Sequence, residues 1–432
     1  MEARLLGKGG AGSYKGKILS PRKAAEIMNG WLRKRLDELL PELMTREGFD
    51  MWMVISREYN EDPVIMSLLP EPMMYARRRT ILVFCLKDPT SVERLTLSRY
   101  PLADFYQAVW DPEKEDQWAC LGRIVRDKNP RSIGIDFSET FAFGDGLTHT
   151  EYGLVMDAIG LDLAGRARSA ERLCVGWLER RIPAEIGAYA GIVEVAHAIV
   201  AEAFSSKMIH PGITTTDDVV WWMRQKMVDI GVKPWFHPSI SIQAPGQRPN
   251  MPGASHGAER KLIMPGDVLH CDMGIHYLGL CTDTQQNAYV LNLGESDAPA
   301  GLKEALKSGN RFQDIVTGEF IAGRTGNEIL AASLAKARAE GIKASLYTHP
   351  LGVHGHAAGP TIGLWDRQGG VPGNGDYQLY ADTCYALELN IEQVIAEWNG
   401  QEVRIALEQD VVFTGGETYY LAGRQTEYYL IG

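Results

Sequence analysis

Apolar and polar positions alternate in blocks along the first part of the chain. Residues 21–48 carry apolar side chains at helical spacing beside a charged face, which predicts a helix. The continuous apolar runs FDMWMVIS and RRTILVFCL predict strands, as do SIGIDFS and the segment from Glu171 to Cys174. Strands that alternate with helical segments predict a small α/β domain over residues 1–178.

A different pattern begins after the tetrapeptide RRIP at residues 180–183, and it predicts a second domain over residues 179–432. Residues 184–204 have the spacing of an amphipathic helix, which ends before a His-Pro-Gly sequence. One of the three threonines at 214–216 is expected to cap the following helix, DDVVWWMRQKMVDIG.

The remainder of the second domain is predicted to contain short strands and two helices. The segments DVLHCDMGIHYLG and CTDTQQNAYVLN are joined through Leu278-Gly279, which predicts an antiparallel hairpin. Helices are predicted at 301–318 and 325–341, and strands at 385–396 and 403–413. The fold class predicted for the whole chain is α/β, with strands and helices partly segregated (α+β).

Composition narrows the class of protein. The 432 residues carry a net charge of −11 and a pI near 5.5, which argues against nucleic acid as the main partner. No apolar run is expected to span a bilayer, and the N-terminus lacks the apolar core of a signal peptide. Six scattered cysteines without a CxxC pair indicate buried, reduced thiols. We therefore expect a cytoplasmic protein with no membrane partner, with an exported form whose signal was removed as the alternative.

Four acids in the last third of the chain are candidate metal ligands. Asp272 and Asp283 lie on the two arms of the predicted hairpin, and antiparallel pairing can bring both carboxylates to one side. Glu388 and Glu408 each interrupt an apolar strand. An isolated acid of this kind can be a turn or edge residue. Four carboxylates together form an oxygen-rich ligand set, which is typical of a pair of divalent metal ions and not of a structural, cysteine-rich zinc site.

The segment HPLGVHGHAAG adds a nitrogen donor to this set. Its three histidines, His349, His354 and His356, lie among Gly, Ala and Pro, which disfavour a helix. We take His356 as the ligand because it alone has Gly before it and Gly three residues later. His354 remains the alternative ligand at this stage.

In this order the motifs resemble the pita-bread metallopeptidases, which include Xaa-Pro aminopeptidases, prolidases, methionine aminopeptidases and creatinase. The resemblance covers roughly residues 180–432. It implies that a dinuclear centre is bound by two Asp, the His of a Gly-His-x-x-Gly motif, and two strand-borne Glu. The matching residues here are Asp272, Asp283, His356, Glu388 and Glu408.

The same resemblance implies roles for other residues. His256 would contact substrate and intermediate, Glu388 would orient or deprotonate the attacking water, and Arg404 would support a carboxylate ligand. His349 is a candidate substrate contact, and His354 a substitute proton donor. The family also implies a homodimer, with manganese as the first choice of metal and cobalt, zinc or iron as alternatives. The first domain is similar to the N-terminal domain of the aminopeptidase P, prolidase and creatinase branch.

Three departures from the family pattern affect the substrate more than the metals. Trp365 stands near the place of a histidine that would pass a proton to the leaving amine. Glu388 is followed by Leu-Asn instead of Pro-Gly, and two residues are inserted between Arg404-Ile405 and Glu408. Trp365, with aromatic residues such as Trp235 and Phe236, would line a pocket for an apolar or proline ring.

Three functions are compatible with these residues. The first is a dinuclear metal hydrolase that cleaves a peptide bond before proline, as an Xaa-Pro aminopeptidase or prolidase. The second is a non-peptidase of the same fold: a creatinase-like C–N hydrolase, a lyase for a small zwitterion, or an organophosphate hydrolase. The third, a metal-free binding module, is disfavoured because such a module has no need for buried, unpaired acids.

Overall fold

The computed structural model describes Tyr14 and residues 16–246 and 261–432. The described residues divide into two compact units, Ser20–Ile182 and Pro183–Gly432, and Tyr14 and residues 16–19 belong to the second unit. The sequence grouped residues 1–178 together, whereas Tyr14 bonds to the second unit: its hydroxyl donates to the carbonyl oxygen of Ala198 at 3.0 Å.

The first unit is built on a six-stranded mixed sheet with the strand order β4-β3-β2-β1-β5-β6. A core of aliphatic side chains from β1, β2 and β5 packs against α4 and α5. The strands are β1 Met51–Arg57, β2 Arg79–Asp88, β3 Ser91–Thr96, β4 Gln107–Ala108, β5 Ile133–Ile135 and β6 Ala167–Ser169. The helices are α1 Pro21–Lys34, α2 Leu40–Glu47, α3 Ile65–Leu68, α4 Gln117–Lys128, α5 His149–Ile159, α6 Leu161–Ala164 and α7 Glu171–Glu179, with a π-helical turn Arg35–Leu39 and a 3₁₀ turn Ala142–Gly144.

One prediction for this unit is wrong. The segment from Glu171 to Cys174 is the start of helix α7, not a strand. Leu173, Cys174 and Trp177 are buried on this helix at i, i+1 and i+4. Four residues are too short a window to distinguish this spacing from the alternation of a strand.

The second unit contains a nine-stranded sheet, whose main path is β13-β15-β16-β12-β9-β8, and a small sheet β11-β10-β7. The strands are β7 Lys233–Pro234, β8 Ser239–Gln243, β9 Val268–Met273, β10 Ile275–Tyr277, β11 Leu280–Cys281, β12 Thr284–Val290, β13 Lys343–Leu346, β14 His349–Leu351, β15 Thr383–Ile395, β16 Gln401–Thr414, β17 Glu417–Tyr420 and β18 Tyr429–Ile431. The helices are α8 Pro183–Ala203, α9 Thr216–Ile230, α10 Ala300–Thr317 and α11 Gly326–Ala339, with 3₁₀ turns Asn374–Asp376 and Ala396–Trp398.

The predicted hairpin and helix start are confirmed. Strands β9 and β12 pair antiparallel, and the connection between them turns at Leu278 and Gly279, which both have positive φ, 52° and 73°. Among the three candidate threonines, Thr215 caps α9 in a capping box with Asp218.

Helix α8 is long and apolar enough, by length and composition, to cross a membrane, and half of its apolar window is buried in the protein. The sequence analysis expected no such segment. Core helices of soluble proteins pass the same criterion, so this finding is weak evidence for a membrane span.

The alternation of side chains along β15 and β16 separates the core from a polar face. Leu387, Leu389 and Leu407 are fully buried in the core, which also contains side chains of α10 and α11. Successive side chains of a strand point to opposite faces, so Glu388 and Glu408 lie on the other face of the sheet.

Candidate metal centre

Four polar side chains form a row across the strands of the large sheet. Asp272 on β9 is directly opposite Gln285 on β12, Gln285 is opposite Glu408 on β16, and Glu408 is opposite Glu388 on β15. Directly opposite residues share a face of the sheet. The row therefore brings together three of the acids that the sequence singled out, with one amide between them.

Asp283 joins this face from the position just before β12. Its backbone N–H donates to the carboxylate of Asp410, at 3.1 Å from Oδ1 and 3.3 Å from Oδ2. Asp410 is buried two residues after Glu408, and burial raises the pKa of its carboxyl group well above the usual range. Sequence reasoning missed Asp410, although the alternation within LEQD places it on the same face as Glu408.

The donor atoms of these residues are close enough to share metal ions. Three overlapping sets have all their donor atoms within 4.8 Å of one another. The sets are Asp272, Asp283 and Glu408; His349, Glu388 and Glu408; and Asp283, His349 and His356. Two cations bridged by common carboxylates would use such an overlap.

Several of the converging atoms have no hydrogen-bond donor among the residues that the structure describes. These are Oδ1 of Asp272, Oδ1 of Asp283 and both carboxylate oxygens of Glu408, all buried. A buried carboxylate without a partner costs several kcal/mol, and an oxygen-rich set with imidazole suits divalent metal ions. The residues present therefore fit the divalent metals that the sequence implied.

The electrostatics of the cluster lead to the same conclusion. Burial raises the pKa of Asp272 to about 7 and that of Glu388 to about 8. Burial and the neighbouring carboxylates raise the pKa values of Asp283 and Glu408 well above their usual range. Like charges held together in a dry site disfavour ionisation, and a cation would relieve that repulsion.

His349 is closer to the cluster than the sequence analysis assumed. It lies on β14 opposite Ala386, and its Nε2 is 3.5 Å from Oδ2 of Asp283 and 3.6 Å from Oε1 of Glu408. Burial opposes a protonated imidazole, but the nearby carboxylates of Glu408 and Glu388 raise the pKa of His349 to about 9. His349 is therefore a candidate metal ligand as well as a candidate substrate contact.

The other histidines occupy different positions. The rings of His356 and His349 meet edge to face with centroids 4.7 Å apart. Both histidines belong to the set of possible metal ligands that also contains Asp283. Within the described part of the chain, no set includes His354. His256 lies outside the described residues. The roles predicted for His256 and His354 stay predictions.

Arg404 and Trp365 also keep predicted roles. Arg404 donates from Nη2 to the hydroxyl of Tyr347 at 3.1 Å, and its charge lowers the pKa of Glu388 against the effect of burial. Arg404 thus influences the Glu388 carboxylate through its electrostatic field and not through a direct hydrogen bond. Trp365 lies in a short turn between Leu364 and Arg367, and 57% of it is exposed.

Trp235 packs beside the histidine loop. Its Nε1 donates to the carbonyl oxygen of Thr282 at 2.7 Å, and its ring meets His356 with centroids 5.2 Å apart. A Cβ atom on Gly355 would lie 2.4 Å from this ring, and one on Gly274 would lie 2.0 Å from Nε1. The two glycines are required because the indole occupies the space that a side chain would need.

The comparisons with known proteins agree with this geometry. Three solved structures share the fold at low sequence identity. The X-Pro aminopeptidase from Thermotoga maritima MSB8 is 16% identical, with a TM-score of 0.62 over 89% of this chain and 98% of that one. The dipeptidase PepE from Mycobacterium ulcerans is 15% identical, with a TM-score of 0.61 over 93% and 98%. The Xaa-Pro dipeptidase from Bacillus anthracis is 17% identical, with a TM-score of 0.58 over 94% and 100%.

The search of curated proteins found no match. The model of metallopeptidase family M24 matches residues 191–415, which is more than half of the chain. This match confirms the predicted pita-bread fold and the predicted class of enzyme, a metallopeptidase, and it implies divalent metal ions as cofactors. The chain belongs to metallopeptidase family M24.

Proposed function

We propose that this metallopeptidase holds two divalent metal ions and cleaves the peptide bond that precedes a proline. The observation that carries the proposal is that buried carboxylate oxygens of Asp272, Asp283 and Glu408 converge on one face of the sheet. No described residue donates a hydrogen bond to these oxygens. Glu388 and His349 or His356 would complete the ligand set. Such ions supply activation of a water nucleophile and polarisation of the scissile carbonyl.

The residues of the chain would divide the remaining tasks. Glu388 has one oxygen engaged by the side-chain amide of Gln285 and the other, Oε2, 3.9 Å from Nε2 of His349. We assign it the orientation of the attacking water and acceptance of its proton. The ring of Trp235, beside His356, would exclude water from one wall of the site.

The preference for proline rests on two supports. The T. maritima and B. anthracis structures that share the fold are described as an X-Pro aminopeptidase and an Xaa-Pro dipeptidase. Aromatic side chains such as Trp235 and the exposed Trp365 would also offer an apolar surface to a proline ring. We propose manganese as the first choice of metal. We also propose that the protein is a cytoplasmic homodimer, and sedimentation of the purified protein tests the dimer.

Trp365 favours a second candidate, a small-molecule substrate of the same metal centre. Tryptophan cannot pass a proton to a leaving amine. A reaction whose leaving group needs no proton would not require a histidine there. The lyase and organophosphate reactions meet this condition, whereas the creatinase-like C–N hydrolysis expels an amine and would take its proton from another residue.

The deciding experiment measures metal content and hydrolysis of an Xaa-Pro peptide with and without added Mn²⁺. We expect two metal ions per chain, and cleavage that falls to background in Asp283→Ala. Asp229→Ala is the matched control, since Asp229 is an exposed acid of the same unit that accepts a bond from Gln225. Two bound metals without peptide cleavage would favour the small-molecule substrate, and no metal uptake would overturn the dinuclear proposal.

A further inference from the structure

We infer that Gln285 is a positioning residue that restricts Glu388 to one metal-facing oxygen. Gln285 occupies the row between Asp272 and Glu408, and it is the one member of that row without a charge. Its side-chain Nε2 donates to Oε1 of Glu388. The inference rests on the proposed metal centre and assigns a function to a residue that sequence reasoning passed over.

The two oxygens of Glu388 have different environments. Oε1 accepts the bond from Gln285, whereas Oε2 is the atom near Nε2 of His349, at 3.9 Å. An oxygen that already accepts a strong hydrogen bond is a weaker metal ligand than a free one. Gln285 thereby favours one-oxygen coordination through Oε2 and fixes the plane of the carboxylate.

A second hydrogen bond fixes the orientation of the amide itself. Nε2 of His270 lies 2.8 Å from Oε1 of Gln285, and Nδ1 of His270 lies 3.5 Å from the hydroxyl oxygen of Ser241. The amide oxygen can only accept, so the imidazole donates to it and the NH₂ group must face Glu388. A flipped amide would set its oxygen against the carboxylate of Glu388, and the imidazole would have to change tautomer to accept from the NH₂ group.

The strand provides a matched comparison in the adjacent residue. Gln286 is also fully buried on β12, but it faces the opposite side of the sheet, and its side-chain atoms have no hydrogen-bond partner among the described residues. Gln285 and Gln286 therefore differ in the face of the sheet they occupy, not in residue type, burial or strand. Substituting each with methionine keeps the side-chain length and removes the amide.

The test titrates Mn²⁺ into metal-free Gln285→Met, Gln286→Met and wild-type protein by calorimetry. We expect Gln285→Met to bind at least one Mn²⁺ ion about 10- to 100-fold more weakly, the usual effect of losing a hydrogen bond to a metal ligand. Gln286→Met should bind within twofold of the wild type. With an Xaa-Pro peptide as substrate, kcat of the loaded Gln285→Met enzyme should fall while KM stays within twofold.

His270→Asn keeps the inference testable if Gln285→Met does not fold. It leaves Gln285 in place but removes the donor that orients the amide, so we expect a smaller loss of Mn²⁺ affinity, up to about tenfold. Wild-type affinity in both variants, or equal losses in Gln285→Met and Gln286→Met, would overturn the inference. If the proposed specificity for Xaa-Pro peptides is wrong, the wild-type protein will bind Mn²⁺ but will not cleave the peptide, and this outcome is distinct from failure of the inference. A wild type that binds no Mn²⁺ overturns both.

Discussion

Asp62 and Asp136 in the first unit are as deeply buried as the carboxylates of the metal centre in the second unit. Burial raises the pKa of Asp136 to about 6 and that of Asp62 well above its usual range. Their surroundings differ from those of the metal centre. Oδ1 of Asp136 accepts bonds from Nε1 of Trp52 at 2.7 Å and from Sγ of Cys174 at 3.2 Å.

Asp62 also has a protein donor at one of its two oxygens, whereas its Oδ2, like Oδ2 of Asp136, has none among the described residues. Its Oδ1 accepts the backbone N–H of Val64 at 2.6 Å, and a hydrogen bond with Asp136 raises its pKa further. Two acids with several neutral donors need a single shared proton to be satisfied. Asp272, Asp283, Glu388 and Glu408 are four acids around an imidazole, with few donors, so one proton does not neutralise them. Burial, raised pKa values and a carboxylate oxygen without a described donor (Oδ2 of Asp62 and Oδ2 of Asp136) are common to both groups. The metal centre is distinguished by its four acids instead of two, and by Glu408, whose two oxygens both lack a donor among the described residues.

The largest expected effect is the stabilisation of the second unit by metal. At a free Mn²⁺ concentration of 100 times Kd, binding should raise the free energy of unfolding by about 2.7 kcal/mol for each site. Asp283→Asn should abolish this gain. Without metal, the same variant should be more stable than the wild type, because one of the repelling carboxylates is gone.

Thermal unfolding with and without Mn²⁺ measures both effects. Asp62→Asn is the control, because it removes an equally buried acid that has its own donors and should leave the Mn²⁺-induced shift at its wild-type size. Equal loss of the shift in the two variants would show that the distinction between the two groups of acids is wrong.

The second effect concerns pH and the first unit. The folded state holds a proton on Asp62 and Asp136 that the unfolded chain releases near pH 4, so stability falls as pH rises above that value and through about 6. The loss attributable to Asp136 is about 3 kcal/mol. Asp62→Asn removes one titrating acid and gives Asp136 a permanent N–H donor, so the decline should be smaller than in the wild type.

Urea unfolding of Asp62→Asn and of the wild type at several pH values between 4 and 8 tests this prediction. The contribution of the second unit cancels when the free energies of unfolding of the two proteins are subtracted. Asp50→Asn provides a contrast of opposite sign. The bond from Arg131 lowers the pKa of Asp50, so that carboxylate stabilises the fold above pH 4 and its loss should destabilise the protein. A wild-type decline in Asp62→Asn would refute the shared proton.

The difference between the two groups also shows what could be predicted from the sequence. Asp272 and Asp283 lie on either side of a hairpin connection formed by β10 and β11, so local pairing was enough to place them together. The apolar strands around Glu388 and Glu408 made each acid conspicuous, but their common face follows from the pairing of β15 with β16, which the sequence did not predict. The position of His349 depends on which strand pairs with β15, and a loop of His, Gly and Pro contains no information about that pairing.

Asp62, Asp136 and Gln285 were not predicted for a related reason. Asp62 and Asp136 come from separate segments that only the tertiary fold brings into contact, and neither segment has a metal-like spacing. Gln285 is one of two adjacent glutamines, and its role depends on cross-strand partners at positions 270 and 388. Residue type predicts ligands better than it predicts the neutral residues that orient them.

The smallest expected effect tests whether a weak donor contributes to the acid pair. Sγ of Cys174 donates to the ionised form of Asp136, so Cys174→Ala should raise the pKa of the pair and increase the stability lost between pH 4 and 8 by less than about 1 kcal/mol. Cys85→Ala is the control, because that thiol is buried in the aliphatic core of the same unit. Both variants should lose packing energy equally at all pH values, and only Cys174→Ala should alter the pH dependence. Identical pH profiles would mean that Trp52 and the shared proton alone satisfy Asp136. The acid pair of the first unit would then have one donor fewer to distinguish it from the metal centre.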